Sequence, residues 1–240
     1  MKYTRLDAEY KARRTKVAES LSIPNLWEII DHWPLYVGVM NLHRFLTISD
    51  LLRETAALPG HVIEAGVWRG ANLLFMAKLL QIWDPYGSKI VHGFDDFVGY
   101  TKEKFSPSLD GEAVGLEGSY TGDLEALQRL MRLYDLDGPV ELHIGLIEET
   151  LPQFFQDNPS LDISFVYLDT DLYTSTATVL EEVHPHLVDG GIIVLDEHNF
   201  SNRPGESAAV REFLKNTGRD GYRAQYLRTR QPTLYLKRIG

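Results

Sequence analysis

With 240 residues, 44% of them hydrophobic, and a net charge of −10, the chain can bury a full core but has no basic surplus to exchange for counterions on nucleic acid or an anionic membrane. It contains no cysteine, which excludes disulfides and thiolate metal ligands and is compatible with a cytoplasmic setting. The opening stretch MKYTRLDAEYKARRTKVAES is charged and lacks the apolar core of a signal peptide, and no apolar run approaches the ~20 residues of a membrane span.

Residues 1–58 carry a mostly helical pattern broken at Pro24 and Pro34, which reads as a helical cap in front of a sheet rather than a separate domain. From 59 to 240 short apolar, β-branched runs alternate with helical patterns, as in a mostly parallel sheet with right-handed crossovers. The whole chain, 1–240, is expected to form one α/β domain. Strands fall at HVIEAGV (61–67), IVHGFD (90–95), VELHIG (140–145), ISFVYLD (163–169) and GIIVLDE (191–197). Helical patterns lie at 71–83, 122–136, 176–187 and 205–218, the last ending on Gly218 as a C-cap. The stretch 98–120 is long, polar and glycine-rich, in the manner of a lid. At the C-terminus, YRAQYLRTRQPTLYLKRI is two β-rich runs joined by a short polar turn with Pro232. This predicts a hairpin, with one strand antiparallel to the rest of the sheet.

Ligands of open parallel sheets bind beyond the carboxyl ends of the strands, so the residues there carry the functional argument. The first strand ends IEAGVWRGAN, with Glu64 before the turn and Gly66 and Gly70 flanking it. This is either a ligand cradle at a helix N-terminus or a plain tight turn, and the dinucleotide pattern G-x-G-x-x-G is absent. The second ends GFDDF, where Asp95 is placed to accept from ribose hydroxyls and Asp96 follows, or where either caps a turn. Glu148 and Glu149 read as first-turn helix acids. The fourth and fifth strands bring Asp169 and Asp171 beside Asp196 and Glu197, with His198 next. Crowded carboxylates need a shared proton or a cation, and an oxygen-only set suits Mg²⁺, Mn²⁺ or Ca²⁺. Asp171 reads instead as the N-cap of the following helix. His92 and His143 lie inside strands and read as packed or hydrogen-bonded there, and His43 has no spacing that demands a role.

The motifs VIEAGVWRGAN, GFDDF, LDTDLYTST, GGIIVLDEHN and AAVREF, in this order, resemble the macrocin O-methyltransferase family of class I S-adenosylmethionine (SAM) methyltransferases, over about residues 35–215. The resemblance implies a Rossmann-like, seven-stranded sheet with a reversed C-terminal hairpin strand. It implies SAM as cofactor and Mg²⁺ (or Mn²⁺) beside it. It assigns Glu64, Gly66, Val67, Trp68, Gly70, Asp95, Asp96 and Asp169 to cofactor binding, with Asp95 on the ribose. It makes Asp169 both metal ligand and general base, with Asp196 and Glu197 as further metal ligands. Where the family reads DDY this chain reads DEH, so Glu197 reaches one methylene further and His198, a second candidate base, replaces an aromatic. The implied acceptor is a small molecule carrying a sugar hydroxyl, on a glycosylated natural product or a nucleotide-linked sugar. The alternatives are a catechol, another phenol or a cephalosporin-type acceptor. The 33–45 segment and the 98–120 loop are expected to face the acceptor, and the chain to form a homo-oligomer. A nicotinamide oxidoreductase is disfavoured by the missing glycine pattern. A non-catalytic SAM-binding subunit would show no methyl transfer.

Overall fold

The structure is a computed structural model, and it describes residues 7–23, 25–111, 116–217 and 221–240. Its strands are β1 (His61–Ala65), β2 (Val91–Asp95), β3 (Val140–Ile144), β4 (Ile163–Leu168), β5 (Leu187–Leu195), β6 (Tyr222–Tyr226) and β7 (Leu234–Arg238). They form one sheet in the order β3-β2-β1-β4-β5-β7-β6. β1 to β5 pair in parallel, β7 runs antiparallel to β5, and β6 antiparallel to β7. The predicted reversed strand is therefore β7. β5 starts at Leu187, earlier than the sequence suggested, and stops at Leu195, so Asp196 and Glu197 lie beyond its end rather than within it.

The helices are α1 (Asp7–Ser20), α2 (Leu26–Asp31), α3 (Val39–Thr55), α4 (Ala71–Trp83), the four-residue α5 (Pro107–Asp110), α6 (Leu124–Leu133), α7 (Ile147–Asp157), α8 (Tyr173–Val183) and α9 (Pro204–Asn216). α4 falls where the apolar pattern placed it. α8 starts earlier than predicted and stops before Pro185, which cannot continue a helix. Glu148 and Glu149 do lie in the first turn of α7. The expected break at Pro24 and the cap at Gly218 fall outside the described residues.

Side chains of the central strands alternate between the two faces of the sheet, as the two-residue period requires. Val62, Phe165, Tyr167, Ile192 and Val194 pack with Ile48 and Leu52 of α3, Leu73 and Met76 of α4 and Leu127 of α6. Ile63, Val166, Leu168, Ile193 and Leu195 pack with Leu151 of α7, Val179 of α8 and Val210 of α9. All six residues of β4 are buried, so this strand is coated on both faces.

Register levels the strand ends. Ala65 is opposite Phe94 and Leu168, and Leu168 is opposite Leu195. The next residues on those strands, Gly66, Asp95, Asp169 and Asp196, are thereby brought side by side. The sheet order reverses between β1 and β4, and at such a switch point the connections diverge and leave a crevice.

Candidate active site

A cavity of about 410 Å³ opens at that crevice, within the size range of small-molecule sites. Its walls include the β1–α4 turn, the ends of β2, β4 and β5, Asn41, Arg44 and Phe45 of α3, and Gly99, Tyr100, Lys104 and Tyr120 of the 98–120 segment. Of the predicted site residues, Glu64, Gly66, Val67, Trp68, Asp95, Asp96, Asp169, Asp196 and Glu197 line it, while Gly70 and His198 do not.

The turn after β1 needs its glycines. Gly66 has φ +87°, and a Cβ there would lie 2.0 Å from the carbonyl oxygen of Asp169. Gly70 has φ +79°, opens α4 as its N-cap, and leaves no room for a Cβ against Leu127. Asp95 braces this turn from the neighbouring strand. Its Oδ2 accepts from the backbone N–H of Val67 (2.8 Å) and Trp68 (2.7 Å), and its Oδ1 from Phe97 (2.6 Å). Asp96 accepts from Val98 N–H (3.0 Å) and pairs with Lys104. Glu64 is buried, its Oε2 has no hydrogen-bond partner, and burial followed by the charge of Asp169 pushes its carboxyl well above the usual range.

Beside this turn the cavity wall carries a carboxylate–guanidinium network. Nη2 of Arg44 lies 2.9 Å from Asp169 Oδ2 and 3.2 Å from Asp196 Oδ1, so one cationic nitrogen sits between two carboxylates. Tyr167, buried beneath them, donates its O–H to Asp196, and Gln231 donates to Asp196 (2.9 Å) and Glu197 (2.8 Å). Arg203 bridges Asp171 and Glu197 and donates to the Tyr120 hydroxyl at 2.7 Å. Asp169 titrates well above the usual carboxylate range, because enclosure in the wall and the charges of Asp196 and Asp171 disfavour its ionised form; Arg44 opposes them. Glu197 is pushed up to about 9 by burial and by sharing a hydrogen with Asp171. Its Oε2 is also without a partner.

Two predictions are corrected here. Asp171 does not cap α8: its carboxylate accepts from Tyr100 and Arg203, while the first α8 amide, Tyr173 N–H, donates to Asp110 Oδ1 at 2.7 Å. His198 is buried outside the cavity wall, beside Tyr226, and burial and then Arg211 lower it to about 4, so it is a neutral packed side chain. Arg44, Arg203 and Gln231 were missed. Arg44 comes from a helix far from the strand ends in sequence, while Arg203 and Gln231 sit in polar connections after β5 and β6 that carry no recognisable motif. A signal did exist for Tyr167, whose polar tip is one residue from the end of an otherwise apolar strand.

Among the described residues, no helix is long and apolar enough to cross a membrane. Residues 29–220 match the Macrocin-O-methyltransferase (TylF) family. A tetracenomycin-type rhamnosyl 4'-O-methyltransferase of Streptomyces olivaceus is 27% identical over 216 residues, 78% of this chain and 76% of its own. The mycinamicin III 3''-O-methyltransferase of Micromonospora griseorubida is 29% identical over 71% of this chain and 66% of its own. Among solved structures, the calicheamicin methyltransferase CalS11 superposes with a TM-score of 0.77 at 27% identity, over 98% of this chain and 93% of that one. The sheet order, the glycine turn and the facing carboxylates thus occur in a chain that belongs to the macrocin O-methyltransferase family and is a SAM-dependent O-methyltransferase.

Proposed function

We propose that the enzyme methylates a sugar hydroxyl of a glycosylated natural product or a nucleotide-linked sugar. The carrying observation is that one cavity joins the glycine turn to the half-buried Asp169 carboxylate. The relatives support the acceptor class: those from Streptomyces olivaceus and Micromonospora griseorubida are named for glycosylated antibiotics. The turn fits SAM, since Gly66 allows close backbone approach and the unpartnered Glu64 Oε2 is an acceptor facing inward. Glu64, Gly66, Val67, Trp68 and Gly70 would hold its amino-acid end and Asp95 its ribose. Bound there, SAM supplies an electrophilic methyl group.

The residues' own task is to align a hydroxyl and accept its proton. Asp169 takes that proton on its carboxylate. A free aspartate, with a pKa near ~3.9, is a poor base for a sugar hydroxyl, so the reaction calls for a group that also makes the hydroxyl more acidic. The oxygen-only donor set suits a hard divalent cation, and Arg44 Nη2 marks a cationic point between Asp169 and Asp196. Mg²⁺ or Mn²⁺ held by Asp169 and Asp196, with Glu197 once deprotonated, would supply Lewis acidity to the acceptor. Phe45 and Asn41 of α3, with Tyr100 and Tyr120, form the side of the cavity that would meet the acceptor. A homo-oligomer is part of this reading, because the start of α3 and the connection before it expose Trp33, Leu35, Tyr36, Val39 and Met40.

The test is transfer of labelled methyl from SAM to nucleotide sugars, glycosylated macrolides, aminocoumarins and simple catechols, each with Mg²⁺ or with EDTA. Label on a sugar acceptor, lost with EDTA and restored by Mg²⁺, is expected. Label on catechols alone would overturn the acceptor class, and label unaffected by EDTA would remove the metal.

A further inference from the structure

Three histidines on adjacent strands stand in a row under α7, none of them in the wall of the active-site cavity. His61 Nδ1 lies 3.0 Å from His92 Nε2, and His92 Nδ1 lies 3.1 Å from His143 Nε2. Strand pairing sets Glu141 opposite His92, and its Oε2 is 3.7 Å from the same His92 Nδ1. One ligand atom from each of His92, Glu141 and His143 lies within 4.8 Å of the others. We propose that these three side chains form a second metal site, at the β2–β3 edge of the sheet, for a borderline divalent transition ion such as Zn²⁺.

A plain chain of hydrogen-bonded imidazoles accounts for the two N···N contacts. It does not account for Glu141, which is beyond hydrogen-bond reach yet faces the same nitrogen. A bound ion accounts for all three. Ligand atoms at ~2.0–2.1 Å from one Zn²⁺ are ~3.3 Å apart in a tetrahedron, close to the 3.1 Å and 3.7 Å that separate His92 Nδ1 from His143 Nε2 and Glu141 Oε2. His92 also has the second contact expected of a metal ligand: with Nδ1 on the ion, its Nε2–H donates to His61. The rings are held in place, His143 stacked on Phe94 at 4.3 Å and both imidazoles packed on Phe154 at 4.8 Å. Burial lowers all three histidines, His92 to about 3, which keeps the imidazoles in the neutral form that binds metal. Glu141 is exposed and an open cavity of about 750 Å³ borders the cluster, so an ion has a route in.

The two sites differ in chemistry. Two imidazoles and a carboxylate select Zn²⁺, Co²⁺ or Ni²⁺ over Mg²⁺, whereas the Asp169–Asp196 pair is all oxygen. An ion here would tie β3, an edge strand, to β2. β3 runs directly into Gly145, Leu146 and Ile147 of the active-site wall. The ion would thus brace this edge of the sheet, with its remaining coordination position open to solvent.

The test uses the full chain without an affinity tag, stripped by chelator and titrated with Co²⁺ in excess Mg²⁺. Visible absorption and calorimetry are the readouts. A single Co²⁺ per chain with the intense absorption of low-coordinate Co²⁺ is expected, at least 10-fold weaker in His143→Ala. Glu141→Gln, on an exposed side chain and so safe for folding, is expected to weaken binding about 10-fold, and His61→Ala to do so by a similar factor while keeping the stoichiometry. No stoichiometric binding would overturn the proposal. So would binding unchanged in both His143→Ala and Glu141→Gln, or binding lost in Asp196→Asn, which would locate the ion in the active-site cavity.

Discussion

Asp169 follows directly from its neighbours. β4 ends between β1 and β5, so its next residue meets Asp196 on one side and the glycine turn on the other. If Asp169 is the base, as proposed, its replacement by asparagine should lower kcat by about 10²–10⁴-fold, the usual weight of general base catalysis. Full activity in Asp169→Asn would assign the proton transfer elsewhere. Arg44 tests the cation. Arg44→Met leaves Asp169 and Asp196 facing each other unscreened, which should destabilise the protein by about 3 kcal/mol. Millimolar Mg²⁺ should then raise the Tm of the variant more than that of the wild type. Equal shifts would count against Asp169 and Asp196 as ligands.

At the scale of elements, α8 and the 98–120 segment are tied by one buried carboxylate. Asp110 is fully buried and accepts from Tyr173 N–H (2.7 Å) and Ser106 N–H (2.6 Å). It also lies so close to Gly205 that a Cβ there would sit 2.1 Å from Asp110 Oδ1. Asp110→Ala strands two amides and should cost about 1–3 kcal/mol, seen as a lower urea midpoint. Tyr100 and Tyr120 of the same segment line the cavity, so KM for the acceptor should rise more than kcat falls. On α4, Lys78 is largely buried against the Tyr134 ring, 3.7 Å from its centroid, and burial lowers it to about 8. In the unfolded chain it titrates near ~10.4, so between these values the folded state holds fewer protons and stability rises with pH. The gain is at most about 3 kcal/mol and should vanish in Lys78→Met, as thermal melts at pH 7.5 and 10 would show. A wild-type profile with no rise over that interval would contradict the burial argument.

For the whole molecule, the sheet places the chemistry and the N-terminal helices complete it. α3 packs on the sheet through Ile48, Leu51 and Leu52 and presents Arg44 to the carboxylates. Leu35, in the segment before it, and Val39, its first residue, are 78% and 82% exposed, and the proposed homo-oligomer would cover them. Leu35→Asp with Val39→Asp should shift the protein to a smaller species in light-scattering chromatography without loss of secondary structure. An unchanged mass would refute the oligomer.

Much of the architecture was legible because its signals are local. Five β-branched runs ending in small or acidic residues announced a parallel sheet, and Pro232 between two β-rich runs announced the hairpin. Motifs at the strand ends were enough to nominate Glu64, Gly66, Asp95, Asp169 and Asp196, because strand ends in a parallel sheet are neighbours whatever lies between them. Tertiary structure alone decided the partners. Arg44 reaches Asp169 across a separation of 125 residues, so no spacing could predict that its cationic nitrogen lies between Asp169 and Asp196. The same holds for Asp110 taking the helix-capping role that Asp171 would have filled locally, and for His198 being packed away from the cavity. The histidine row depends on register as well. His61, His92 and His143 look unrelated along the chain, and only side-by-side pairing of β1, β2 and β3 puts them on one face.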